Sequence, residues 1–124
     1  MVENKSTLFS IVIFSVVGIL SIPILLPHIS HQFQFFHILL HISGISIAVF
    51  LSIISALAYS KTRTRRLLFT MIAFSMFVAS ESFSVIDAAW QYTYYLGEFS
   101  SAELGHILMI GTLGMFALSV FRRD

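Results

Sequence analysis

Three histidines and one glutamate stand out because all four lie within apolar stretches of the chain. His37 and His41 are four residues apart, so on a helix their side chains share one face, one turn apart. Glu81 and His106 belong to two other apolar stretches. Imidazole together with carboxylate suits Cu(II), Zn or non-haem Fe, and the chain contains no Cys. The predicted ligands of a divalent transition metal are therefore His37, His41, Glu81 and His106, with Asp87 and Glu103 as further ligands or as partners of the ligands.

Glu81 is the most informative residue of this set. A carboxylate inside an apolar span is unfavourable unless it is protonated, paired or in contact with water, so such residues are usually functional. Ser80, Ser82 and Ser84 widen the polar patch around it. The structural alternative is a protonated Glu81 that is hydrogen-bonded to a histidine or a backbone carbonyl and only holds helices together.

The histidines allow two further interpretations. His41 and His106, placed on two helices at similar depth, could be the axial ligands of a haem, although no other feature supports that cofactor. The His37–His41 pair lacks the intervening glutamate of the H-E-x-x-H metalloproteases, so its spacing alone is weak evidence for a metal. His28 and His31 lie on a short connection beside glutamines, and we expect them to be solvated interfacial residues.

The composition indicates that membrane-spanning helices position these residues. Of the 124 residues, 57% are hydrophobic and only 10% are charged, where a soluble domain has about 25% charged residues. The mean hydropathy is +0.92. A soluble fold of this size could not bury so much apolar surface, so we expect an integral membrane protein.

Four stretches are long enough to span a bilayer, which takes about 20 apolar residues. The first lacks the small-x-small cleavage pattern of a signal peptide and is interpreted as a span, with Pro23 near its outer end. The sequence predicts a single all-α domain over residues 1–124, a polytopic four-transmembrane-helix bundle. Its spans are residues 8–26, 35–59, 67–86 and 102–121.

The basic residues predict the orientation of the bundle. They fall before the first span, between the second and third spans, and at the C-terminus: Lys5, Lys61, Arg63, Arg65, Arg66, Arg122 and Arg123. With four spans these regions share one side, which the positive-inside rule makes cytoplasmic. Both termini are then cytoplasmic in a cell membrane. The residues from 87 to 101 form an outer loop, and we expect a short interfacial helix around Trp90 to Tyr95.

Helix geometry places the candidate ligands near one another. Gly44, Ala48, Ser52 and Ala56 form a ridge of small residues on the face of the second span that also carries the two histidines. Such ridges allow close helix packing in lipid. Counted from the cytoplasmic ends, Glu81, His106 and His41 lie at depths of about 21, 22 and 27 Å, at about 1.5 Å per residue. We therefore expect these side chains to converge near the outer leaflet.

Other chemistry has no support in the sequence. There is no phosphate-binding glycine loop and no nucleophile motif, and the basic turn from Lys61 to Arg66 suits lipid headgroups better than nucleic acid. The S-x-x-E pattern from Ser100 to Glu103 predicts a capping box at the start of the fourth span, which gives Glu103 a competing structural role.

The pattern of polar residues resembles a group of small archaeal membrane proteins of unassigned function. It comprises His37-x3-His41, the basic turn that ends at Arg66, Glu81, Asp87, Glu103-x2-His106 and the closing Arg122-Arg123, and it leaves out the first span. In size, span count and hydropathy the chain is also similar to accessory subunits of archaeal ammonia monooxygenase complexes. That similarity implies an accessory role, and it carries over no catalytic residue.

These observations predict an accessory or structural subunit of a larger membrane complex. A copper-dependent oxidoreductase is one example of such a complex. Its loops are too short for a soluble catalytic domain, so we do not expect catalysis by this chain alone. Its expected partners are membrane lipids and other subunits. The alternatives are a cation transporter or channel component with an acidic, histidine-rich outer mouth, and a haem-binding membrane protein.

Overall fold

The computed structural model describes residues 4–25 and 32–122, and within these ranges the chain is almost entirely helical. In chain order the elements are α1 (Lys5–Leu20), a π-helical turn (Ser21–Leu25), α2 (Gln32–Thr62), α3 (Arg65–Trp90), β1 (Tyr95–Leu96), β2 (Phe99–Ser100) and α4 (Ser101–Phe121). The connection that carries His28 and His31 lies outside the described residues. The prediction of an all-α chain is confirmed.

Each of the four helices is long and apolar enough to cross a membrane. The apolar segments contain 20, 28, 26 and 21 residues, with no more than two charged residues in the most apolar window of each. The prediction of four such segments is confirmed. All four helices begin before the predicted spans, and α2 extends by three residues at either end. Pro23 lies within the π-helical turn, where the wider spacing accommodates a residue that lacks a backbone N–H.

The helices pack in a row in which α3 is central. Both α2 and α4 pack extensively against α3, whereas α1 packs on α2. The largest buried apolar cluster joins the π-helical turn to α2 and α3, through Ile24, Ile38, Ile42, Ile45, Val85 and Ala89. This arrangement places α2 and α4 on opposite sides of α3.

Gly44, the first residue of the small-residue ridge of α2, faces α3. Ala48 is buried, and the position of a Cβ at Gly44 is only 3.1 Å from Glu81 Oε2. On the other side of α3, the buried Ser80 hydroxyl donates a 2.9 Å hydrogen bond to the carbonyl of Gly105 in α4. Ser80 and Glu81 are therefore neighbours at which α3 contacts both flanking helices closely.

The two ends of the molecule differ in chemistry. The basic end comprises the start of α1, the turn between α2 and α3, and the end of α4. The hairpin end carries β1 and β2, which pair Tyr95 with Ser100 and Leu96 with Phe99. All carboxylates among the described residues lie in the half of the molecule nearer the hairpin end.

The expected short helix around Trp90 to Tyr95 is wrong. Instead α3 continues to Trp90 and ends at Gln91, which adopts a left-handed conformation with φ of 50°. The chain then forms the β-hairpin, whose turn needs the positive φ of 68° at Gly97. Glycine adopts such a φ without the steric cost that a side chain imposes, so a hairpin replaces the expected helix.

Candidate functional site

The centre of the candidate site is a contact between α2 and α3. His41 Nδ1 lies 2.7 Å from Glu81 Oε2, a distance typical of a charge-assisted hydrogen bond. The Glu81 residue is only 8% exposed. Gly44 allows the two helices to approach closely enough for this contact, because a larger residue there would press on the carboxylate. The predicted convergence of His41 and Glu81 is observed.

His37 extends this contact towards the surface. Its Nε2 lies 3.3 Å from His41 Nε2, and the two rings are nearly perpendicular, with centroids 4.7 Å apart. His37 is exposed, His41 is partly buried and Glu81 is buried. The three side chains therefore form a continuous chain from a buried carboxylate to an exposed imidazole, which we call the His–Glu chain.

With a neutral His41 ring the His–Glu chain has two consistent proton arrangements, and an imidazolium His41 would instead donate both to an ionised Glu81 and to His37. Two imidazole nitrogens in contact share one proton, because one must donate and the other accept. If Nε2 of His41 donates to His37, then Nδ1 of His41 accepts from a protonated Glu81. If Nδ1 of His41 instead donates to an ionised Glu81, its Nε2 accepts from His37. The two arrangements differ by one proton shift in each of the two hydrogen bonds.

The exposed end of the His–Glu chain, at His37, faces a cleft between α2 and α4. The cleft has a volume of about 370 Å³, and α3 forms its floor. Its polar lining is provided chiefly by His37, His41, Ser84, Asp87 and His106. No described residue of α1 lines it. His37 and His41 therefore line the cleft, and Glu81 contacts His41 behind it. His106, the fourth predicted ligand, lines the cleft from the opposite wall.

His106 is held by its own helix. Its Nδ1 lies 2.8 Å from the carbonyl oxygen of Ala102, and a carbonyl can only accept, so Nδ1 carries the proton. The lone pair of the imidazole is consequently on Nε2. A backbone carbonyl that fixes the histidine tautomer in this way is common in metal sites, but it also stabilises a histidine that binds nothing.

The acidic residues at the mouth of the cleft have structural partners. Asp87 Oδ1 accepts hydrogen bonds from the hydroxyls of Thr93 and Ser101, both at 3.3 Å. Glu103 accepts from the backbone N–H of Ser100 at 2.8 Å, and the predicted capping box of α4 is confirmed. Burial, and secondarily the Asp87 carboxylate, raise the pKa of the nearby Tyr94 phenol above its ordinary value of 10.0.

Within residues 4–25 and 32–122, no three His, Asp or Glu side chains are arranged to hold a metal ion together. The metal site built from His37, His41, Glu81 and His106 therefore stays a prediction. Both ring nitrogens of His41 are in contact with other side chains, so ligation of a haem or a metal by His41 would require one of these contacts to break.

Two residues of the site were not assigned this role from the sequence. The sequence predicts a packing role for Gly44, yet this residue also provides the space that the Glu81 carboxylate occupies. Its position three residues after His41, on the same helix face, was the available signal. Ser80 was grouped with the serines around Glu81, and its hydrogen bond to Gly105 fixes α4 against α3 beside the site.

Comparison with known proteins does not assign the chain to a class. No family model matches the sequence, and neither does any curated protein or solved structure. The geometry of the His–Glu chain and the cleft is therefore the indication of function.

Proposed function

We propose that this chain is an accessory subunit of a larger integral membrane complex, to which it supplies a histidine–carboxylate proton relay on the outer side of the membrane. The observation that carries this proposal is the His–Glu chain, which links the buried Glu81 to the exposed His37 through His41. Chains of Glu and His residues within membrane spans commonly carry protons.

The four apolar helices support the proposed membrane location, and the distribution of charge supports the proposed orientation. Each helix is long enough to cross the hydrocarbon region of a bilayer. Under the positive-inside rule the basic end belongs in the cytoplasm, which places the hairpin end and the cleft on the outer side of the cell membrane.

A relay requires a proton to enter at His37. The proton binds Nδ1 of His37, and Nε2 of His37 passes its own proton to Nε2 of His41. Nδ1 of His41 then passes its proton to the Glu81 carboxylate. This sequence leaves Glu81 neutral and both imidazoles neutral, so one proton has moved from the cleft to the buried carboxylate.

The relay ends at Glu81 and does not continue through the molecule. Between Glu81 and the basic end, the described parts of α2, α3 and α4 contain Ser and Thr but no His, Asp or Glu. A channel or transporter formed by this chain alone would need such groups across both halves of the membrane. A proton held on Glu81 and returned through His41 and His37 to a partner subunit in the cleft agrees better with this distribution.

The partner is inferred from the cleft. Polar side chains at the depth of apolar spans must be covered by protein or contact water. The cleft between α2 and α4 has a floor on α3 but no described residue of α1 beside it. We propose that a helix of another subunit lies along it. The resemblance to accessory subunits of archaeal ammonia monooxygenase complexes suggests one such complex, and that part of the proposal depends on the resemblance alone.

Infrared spectroscopy of the reconstituted protein tests the relay. The carboxylic C=O band that disappears in Glu81→Gln belongs to Glu81, and its response to a rapid pH step reports proton arrival at that group. We expect His41→Phe to slow this response at least tenfold and His37→Phe to slow it less, while His106→Phe leaves it unchanged. Equal rates in wild type and His41→Phe would contradict the relay, because a purely structural His41 would not affect proton arrival.

Site-specific cross-linking tests the role as a subunit. A photoreactive residue at Ala102, which lines the cleft, should cross-link to another membrane protein in native membranes. Leu113, on the exposed face of the same helix, is the matched control and should give mainly lipid adducts. If the chain migrates alone at monomer mass in every mild detergent and Ala102 gives no protein adduct, it is not a subunit.

A divalent transition metal is the second candidate ligand of the cleft. It is favoured by His106, whose Nδ1 donates to Ala102 and whose Nε2 is therefore available for ligation. Metal analysis of the natively purified complex should then find copper, zinc or iron in stoichiometric amount. His106→Ala and His37→Ala should each lower this amount, whereas Ser60→Ala at the basic end should not. Equal metal content in all four proteins would exclude the site.

A further inference from the structure

A second cavity lies at the basic end, far from the histidine cleft, between the start of α1 and the end of α2. It has a volume of about 310 Å³. Leu8, Ile54, Leu57 and Ala58 form its apolar wall, and Lys5 and Lys61 lie at its mouth. We call this cavity the lysine groove.

The two lysines meet because α1 and α2 are antiparallel. Lys5 is the first residue of α1, and Lys61 lies in the last turn of α2. Both side chains are exposed. At the groove, the start of α1 is a helix N-terminus with positive partial charge, and the end of α2 is a helix C-terminus with negative partial charge. These two contributions oppose each other. The two ammonium groups therefore determine the charge at the mouth of the groove.

No described residue at this end offsets that charge. Residues 4–8, 54–70 and 115–122 include six basic side chains among the described residues and no Asp or Glu. Thr62 also lines the groove, but it is uncharged and donates its hydroxyl to the carbonyl of Ala58. The lysines are the charged groups of the lining.

We infer that the lysine groove binds an anionic phospholipid, with the phosphate of its headgroup between Lys5 and Lys61 and an acyl chain along the apolar wall. Basic pockets between membrane helices bind anionic headgroups, and each lysine near the surface favours them. The apolar wall distinguishes this site from a general basic surface, because it matches a hydrocarbon chain that enters from the bilayer. This inference depends on insertion into a membrane and is independent of the relay.

The experiment compares lipid retention by the full chain in vesicles of phosphatidylglycerol and phosphatidylcholine with matched acyl chains. Spin-labelled forms of each lipid report the relative association constant. Wild type should prefer phosphatidylglycerol, and the double variant Lys5→Gln/Lys61→Gln should lose about 25-fold of that preference, at about fivefold for each lysine. The matched control Arg65→Gln/Arg122→Gln removes the same charge outside the groove, and its loss should be much smaller.

Two further arms distinguish a lipid from a free anion. Ala58→Phe fills the groove and keeps both lysines, so it should also reduce the preference for phosphatidylglycerol at least threefold. Inorganic phosphate at millimolar concentration should not displace the lipid from wild type. Any one of three results would overturn the inference: an equal loss in the two charge variants, an unchanged preference in Ala58→Phe, or displacement of the lipid by phosphate. Insertion of every variant is checked by carbonate extraction, so failure to insert is distinguished from failure to bind.

Discussion

At the scale of single residues, the structure explains how a carboxylate is accommodated in an apolar helix. Glu81 is buried where α2 and α3 meet, and His41 provides its hydrogen-bond partner at 2.7 Å. Gly44 leaves the space for the carboxylate. His41 and Gly44 lie on the same face of α2. The hydrogen bond to Glu81 and the space for its carboxylate therefore both depend on one orientation of that helix.

Removing the partner of Glu81 should destabilise the protein. We expect His41→Ala to lower the free energy of unfolding by about 1 to 3 kcal/mol, because a buried polar group loses its hydrogen bond. His106→Ala is the matched control and should cost less, because that ring is exposed and its hydrogen bond is to a carbonyl of its own helix. Titration with a denaturing detergent measures both. Equal losses would indicate that the His41–Glu81 contact contributes no stability.

The space at Gly44 can be tested in the same way. A methyl group there would lie 3.1 Å from Glu81 Oε2, whereas a methyl group at Gly18 would contact nothing within 4 Å. Gly18→Ala should be neutral or stabilise by up to about 1 kcal/mol through helix propensity. Gly44→Ala should be less stable than Gly18→Ala by at least about 1 kcal/mol, the usual cost of overpacking. If the two variants unfold alike, Glu81 can move away at no cost.

At the scale of elements, α3 organises the site because it packs against both flanking helices. On one side Glu81 contacts α2, and on the other Ser80 contacts the backbone of α4. The end of α3 is less favourable, since Gln91 adopts a left-handed conformation that glycine tolerates better than glutamine.

Gln91→Gly should therefore stabilise the protein. A left-handed residue with a side chain costs about 1 to 2 kcal/mol, and glycine avoids most of this cost. We expect a gain of about 1 kcal/mol, partly offset by the extra flexibility of the unfolded chain. The control is Ala79→Gly within α3, which should lose about 1 kcal/mol because the helix interior disfavours glycine. Hydrogen exchange of the last turn of α3 provides the measurement, and faster exchange in Gln91→Gly would contradict the argument.

The sequence predicted the elements better than it predicted their ends and contacts. Long apolar runs determine spans, so all four helices were found, and helix periodicity placed His37, His41 and Gly44 on one face. The hairpin was missed because the aromatic residues of the loop suggested a helix, while the conformations of Gln91 and Gly97 depend on local backbone geometry. Counting residues from the cytoplasmic ends predicts that His106 lies at the depth of Glu81. It does not predict the hydrogen bond between His106 Nδ1 and the carbonyl of Ala102.

At the scale of the whole molecule, the two ends carry different chemistry. The hairpin end has the described carboxylates and the histidine cleft, and the basic end has the lysine groove and the arginines of the α2–α3 turn. Because α2 and α4 lie on opposite sides of α3, the cleft between them is left for a partner. The proposed relay and the proposed lipid site would then work in opposite leaflets of the membrane.

The orientation of these ends is the last prediction. The chain contains no Cys, so a single introduced cysteine is the only thiol. Glu98 lies at the turn of the hairpin and Arg65 begins α3 at the basic end, and both are exposed. In intact cells an impermeant maleimide should label Glu98→Cys and not Arg65→Cys, because the positive-inside rule predicts that the basic end is cytoplasmic. After permeabilisation both variants should react, which controls for accessibility. Labelling of Arg65→Cys alone in intact cells would reverse the topology and place the His–Glu chain on the cytoplasmic side.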